Sequence, residues 1–276
     1  MSRNRGIRPA VFALGAVGLA ILFALVYLVA VRTRTGQMLD ERAFDGARLG
    51  QRSLAPVTLS LLDALPLATV AAAVLIAVVI SAVRGTWVTF LVAIIAAFSA
   101  NLVTQILKDL VLARPDLGVH GYAFNSLPSG HTTLAASASL LVFLAASPST
   151  RPMVAALGAL FTIGTGVATL ANQWHRPSDV VAALLVVGFC GCLAGAVLTR
   201  LQPHRQPAAT SSWNSALRVV ALVSVVVAAL AYAASALQSG AQPFSLPMAY
   251  IGGIAGISAV GCLLASAASS TFRSFR

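Results

Sequence analysis

The sequence predicts an all-α protein, a polytopic membrane helix bundle of about eight transmembrane helices, and three observations carry that reading. Of 276 residues, 58% are hydrophobic and 9% charged, with seven acids in the whole chain. An average soluble domain is about 25% charged, so the polar surface that would clothe a water-soluble globule of this length is missing. The apolar residues fall in runs of the length, about 20 residues, that carries a helix across a hydrocarbon core. The net charge of +11 comes from 18 basic residues, 17 of them Arg, scattered in ones and twos between those runs. No face or stripe gathers them, which speaks against nucleic acid as a partner.

The first run, Ala10 to Val31, follows Arg3, Arg5 and Arg8 as a signal peptide would. It exceeds the 7 to 15 apolar residues or so of a signal core, and it reads as an uncleaved span. Further spans are expected at 64–83, 87–107, 131–147, 152–171, 178–199, 215–237 and 246–267. Between the first two lies the longest polar stretch, Arg32 to Asp63, in which Gln37 to Arg48 suits a short surface helix of no readable role. Gly191 with Gly195, and Gly252 with Gly256, have the small-xxx-small spacing that lets helices approach closely. Cys190, Cys192 and Cys262 lie inside apolar runs without Cys-x-x-Cys spacing and read as small core hydrophobes.

Eight crossings place both termini on one side. With the N-terminus in the cytoplasm, ten basic residues fall inside and eight outside, a narrow margin. It widens to ten against five once Lys108, Arg114 and Arg176 are set aside as site residues. All seven acids then lie on the outer face, and the expected location is the cell membrane with an extracytoplasmic site.

Three polar clusters emerge at that outer boundary. Asn101, Thr104, Gln105 and Lys108 share one face of the third span, and Arg114-Pro115 follows where the helix must end. Interhelical hydrogen bonding by the first three, with Lys108 snorkelling, is the plain structural alternative. Pro128-Ser129-Gly130-His131 opens the fourth span. Ser129 suits an N-cap, and a helix start with Gly130 offers unpaired N–H groups to an anion. Trp174-His175-Arg176-Pro177-Ser178-Asp179 opens the sixth span, with His175 and Asp179 four residues apart, so a carboxylate can orient the imidazole. Thr162, Thr165, Thr169 and Asn172 form a second stripe leading towards it, for which hydroxyl bonds to backbone carbonyls are the alternative. Ionisable residues at membrane depth are functional candidates by default, and here two His, one Asp and three cations emerge together.

These blocks resemble the type 2 phosphatidic acid phosphatase (PAP2) superfamily: Lys108 to Arg114-Pro115, then Pro128-Ser129-Gly130-His131, then His175-Arg176-Pro177-Ser178-Asp179. Five residues separate Lys108 from Arg114 where the usual pattern has six, and Thr169 stands where the family has a phosphate-binding arginine, with Arg176 the nearest replacement. The resemblance implies a metal-independent lipid phosphatase needing no cofactor and working through a phosphohistidine. In that scheme His175 is the nucleophile, Asp179 its orienting carboxylate and His131 the general acid. Lys108, Arg114, Ser129, Gly130 and Arg176 would bind phosphate. It also implies a six-helix core, and hence three parts: 1–63 with the first span and outer loop, 64–199 with the motifs, and 200–276 with a cytoplasmic linker and an added hairpin. The expected partner is a membrane lipid phosphate, of the polyprenyl diphosphate, phosphatidic acid or phosphatidylglycerophosphate type. A phosphotransferase using the same intermediate, and a non-catalytic anion-binding or transport protein, are the competing readings.

Overall fold

The computed structural model describes residues 9–48, 68–121, 124–202, 211–237 and 245–273. Among them the chain forms nine helices and no strand. They are α1 (Pro9–Val31), α2 (Arg34–Gly46), α3 (Ala68–Arg84), α4 (Trp87–Val111), α5 (Gly130–Ala145), α6 (Arg151–Ala171), α7 (Pro177–Leu201), α8 (Ser212–Leu237) and α9 (Ser245–Thr271). Six of them, α1, α4, α6, α7, α8 and α9, are long and apolar enough to cross a membrane, while α3 and α5 are apolar but shorter. The polytopic helical class therefore holds, with six helices long enough to cross a membrane and two shorter apolar ones among the described residues. Residues 64–67, where the second span was expected to begin, lie outside the described residues, as does Asp63.

Helix α7 is the centre of the bundle, packed by α1, α4, α5 and α9. Its small residues allow this: a Cβ on Gly195 would run into the Phe12 ring of α1, and Gly191 faces Leu140 of α5. Of the second glycine pair, Gly252 packs against Tyr232 of α8, whereas Gly256 faces open space. Helix α9 lies against α2, α6, α7 and α8, so the C-terminal hairpin is joined to the site-bearing helices. Cys190 and Cys262 are buried and Cys192 is half-buried.

At one end of the bundle arginines close helix termini. Arg84 donates to Ala145 O, and Arg151 donates to Leu144 O at 3.1 Å and to Phe272 O at 2.8 Å. Each satisfies a carbonyl that a helix end would leave without a partner. The end of α4, the start of α5 and the turn from α6 to α7 meet at the opposite end.

Helix α2 departs from expectation. It spans Arg34–Gly46 instead of 37–48, with Thr33 as N-cap accepting from Gly36 N at 3.0 Å. It is not a surface helix: Gln37, Asp40, Glu41, Ala43 and Phe44 are buried. Gln37 Nε2 donates to Val31 O (2.8 Å) and Pro115 O (2.9 Å), and Arg42 donates to Ser235 O. Gly46 sits so close to the Leu246 backbone that no side chain would fit. The chain thus folds α2 across the end of the bundle that carries the three polar clusters.

Candidate active site

The turn between α6 and α7 is built from backbone bonds. Thr169 O accepts from Trp174 N (2.9 Å) and His175 N (3.3 Å), wrapping residues 172–176 over the end of α6. Helix α7 then starts at Pro177, whose missing N–H and fixed φ suit a first helical position. Asp179, in its first turn, accepts from the Arg176 backbone N–H through Oδ2 at 3.0 Å. The same oxygen lies 3.3 Å from His175 Nδ1 and accepts from Ser126 Oγ at 2.7 Å. The i, i+4 pair inferred from spacing is therefore formed, and both residues are buried.

A second helix start lies alongside. Ser129 caps α5, its hydroxyl accepting from Thr132 N at 3.4 Å, and its own N–H donates to Asp179 O at 3.0 Å. The openings of α5 and α7 are thereby tied together, which sets His131 and His175 on one cavity. That cavity, of about 620 Å³, is also lined by Lys108, Gln105, Gly130 and Trp174. His131 packs its ring against Trp174, with centroids 5.2 Å apart. Lys108 comes from a wide π turn, Leu107–Val111, that carries α4 past its expected end at 107. Such turns recur at functional sites because they re-aim a side chain without ending the helix. Among the described residues Lys108 has no ion-pair partner. Asn125 braces this arrangement, its amide reaching Lys108 O, Leu112 O and Leu127 O at 3.0 to 3.2 Å.

The other two cations line a neighbouring cavity of about 380 Å³, with Gln37, Glu41 and His120. Arg176 is 2% exposed and donates through Nε to Glu41 Oε2 at 2.6 Å and through Nη1 to Ser126 Oγ at 3.3 Å. Its guanidinium lies over the Phe44 ring, and Nη2 has no partner among the described residues. Arg114 makes no ion pair among the described residues either. Burial, and then the Arg176 charge beside it, pull its guanidinium below the usual range. A half-buried cation held that way gains from an incoming anion. Lys108, Gly130, His131 and His175 thus share one cavity, Arg114 and Arg176 the next, and Ser129 is buried as the cap between the helix starts.

Sequence patterns alone left out Asp40, Glu41, Ser126 and Asn125. Asp40 accepts from the Ser178 N–H at 3.1 Å and from the Ser178 hydroxyl, capping α7 from another helix. Burial, reinforced by the Asp179 charge, pushes the Asp40 carboxyl up to about 6. The folded chain therefore holds that proton at pH values where the unfolded chain has lost it. The Asp40 contribution is fully favourable below its ordinary 3.8 and declines as pH rises through 6. Replacing Asp40 by Asn should remove this dependence, so that thermal unfolding in detergent changes less between about pH 4 and 7 than in the natural chain. An unchanged slope would show that Asp40 is not its source.

The stripe on α6 serves packing. Thr165, Thr169 and Asn172 donate to carbonyls three or four residues back, and Thr162 meets Ser139 of α5 at 3.2 Å. Asn101 and Thr104 likewise bridge α4 to α5 through Ser137 (2.8 Å) and Thr133 (3.0 Å). His120 is exposed at the rim of the second cavity, and Tyr122 lies outside the described residues. Among the described residues no three His, Cys, Asp or Glu gather as a metal-ligating group.

Residues 86–206, from the start of α4 to just beyond α7, match the family model described as the PAP2 superfamily. No curated protein and no solved structure matches the chain.

Proposed function

We propose that this chain, whose residues 86–206 match the family model described as the PAP2 superfamily, is an integral-membrane phosphatase that hydrolyses a lipid phosphate or diphosphate through a phosphohistidine. The observation that carries the reading is His175, its Nδ1 held by buried Asp179, on the same cavity as His131 and Lys108, which has no ion-pair partner among the described residues.

In the first step His175 Nε2 attacks phosphorus, the bond from phosphorus to the leaving oxygen breaks, and His131 gives that oxygen its proton. Asp179 offsets the charge that grows on the imidazolium. In the second step His131 takes a proton from water, the water oxygen attacks phosphorus, the N–P bond breaks, and phosphate leaves. A positioned acid and base of this kind contributes on the order of 100- to 10,000-fold. Lys108, Arg114, Arg176 through its spare Nη2, and the N–H groups at the capped start of α5 would hold the phosphoryl oxygens and spread the transition-state charge. A site beside apolar helices suits a headgroup whose chains stay in lipid, which is why lipid phosphates are the expected class.

The test is phosphate release in EDTA from purified protein, with polyprenyl diphosphate, phosphatidic acid and phosphatidylglycerophosphate as substrates. The expected result is turnover with a bell-shaped pH profile, because His175 must be neutral while His131 is charged. Transfer to an added alcohol in place of water would mark a phosphotransferase, and binding without turnover an anion-binding protein. Thr169→Arg should not raise activity. Thr169 is fully buried with its hydroxyl on Gly166 O, and a long cation would overpack the turn that carries His175.

A further inference from the structure

Asp179 Oδ2 receives every contact the carboxylate makes among the described residues, and Oδ1, equally buried, has no partner there. Of its three neighbours the shortest is Ser126 Oγ at 2.7 Å, and His175 Nδ1 is the longest at 3.3 Å. Ser126 also lies 3.3 Å from Arg176 Nη1. A guanidinium donates and never accepts, and a hydroxyl has a single proton. Ser126 must therefore accept from Arg176 and spend its proton on Asp179, which gives the chain Glu41, Arg176, Ser126, Asp179, His175 a fixed direction.

We propose that Ser126 is a positioning residue for His175, passing the Arg176 charge to the Asp179 carboxylate and so limiting how strongly that carboxylate draws the His175 proton. The proposal rests on the phosphohistidine reading for its use in catalysis, but the chain of bonds exists without it. With Ser126 in place Asp179 Oδ2 shares its charge with a second side-chain donor. Without it Asp179 leans on the imidazole alone among side chains. Other charges reach His175 as well: Lys108 from α4, His131 from α5, Arg114 from the following loop, and Asp40 and Glu41 from α2. Ser126→Ala leaves all of them unchanged, so a shift in that variant comes from the hydroxyl.

The experiment is a histidine Cε1 NMR titration of the full chain in detergent, with the His175 resonance identified by its loss in His175→Asn. In Ser126→Ala the His175 titration midpoint should move up by about 1 to 2 units, the scale of one hydrogen bond to a charged group. Ser126→Thr should restore it, and the His120 and His131 midpoints should stay in place. If Ser126→Ala does not fold, Ser126→Cys, a far weaker donor, should give a smaller shift of the same sign. No shift, or equal shifts at all three histidines, would overturn the relay. Phosphate release measured alongside separates the two ideas. Where the natural chain turns substrate over, the acid limb of its pH profile should move up with the NMR midpoint, whereas a merely structural loss lowers the rate at every pH. A chain without turnover would sink the phosphatase reading, and the titration would still decide the relay.

Discussion

His175→Ala is expected to abolish phosphate release, by on the order of 10,000-fold or more, since removing a nucleophile that works as a unit with its base costs about as much as removing the whole set. The chain should still fold. Asp179 keeps its bonds from Ser126 and from the Arg176 backbone, so the start of α7 remains capped when the imidazole is gone. Lys108 and Arg114 also remain, and the variant should go on binding an oxyanion such as vanadate through those cations. Binding without turnover is the signature that separates a lost nucleophile from a lost fold. Full activity in His175→Ala would end the phosphohistidine mechanism, and loss of both activity and vanadate binding would move His175 to a structural role.

Glu41→Ala should be the most destabilising change in the site, at about 3 to 5 kcal/mol. That is the range for removing one partner of a buried ion pair and leaving the other uncompensated. Arg176 is 2% exposed and its 2.6 Å bond to Glu41 is its one ion pair among the described residues. The natural control is Asp45, whose bridge to Arg48 is solvated, with side chains 38% and 68% exposed. Asp45→Ala should cost about 0 to 1 kcal/mol. Thermal unfolding of the two variants in detergent compares them directly. Equal midpoints would mean that the Glu41–Arg176 pair is effectively solvated and that α2 docks by its apolar residues alone. The double variant Glu41→Ala/Arg176→Ala should be less destabilised than Glu41→Ala, because no buried charge is then left unpaired.

Much of the architecture was readable in the chain itself. Helix class and membrane partition depend on the length and composition of each run, which are local properties. Helix starts are local too: Ser129 caps α5, Pro177 opens α7, and His175 meets Asp179 because four residues make one turn. Of the eight expected spans, six are long helices among the described residues; α5 has 16 residues, and α3 is described from Ala68 onward. The polar stripe of α4 shares one helix face, as its spacing implies, and the interhelical bonding weighed for it is formed by Asn101 and Thr104 towards α5. Asn101, Gln105 and Lys108 also line the cavity.

What sequence could not supply was the docking of α2. Its acids read as part of a short surface helix because nothing within a helical turn of Asp40 or Glu41 suggests a buried partner. Their partners are Ser178, 138 residues on, and Arg176, 135 residues on. Ser126 had no local signal either, since its bonds run 53 residues to Asp179 and 50 to Arg176. The sequence by itself determined which residues stand at helix ends and which end of the bundle they share, because hydrophobic runs and capping act over one or two turns. Only the tertiary structure decided which carboxylate meets which cation. That pairing depends on where α2 comes to rest, and its resting place is set by burial against α7 and α9 rather than by any spacing within α2.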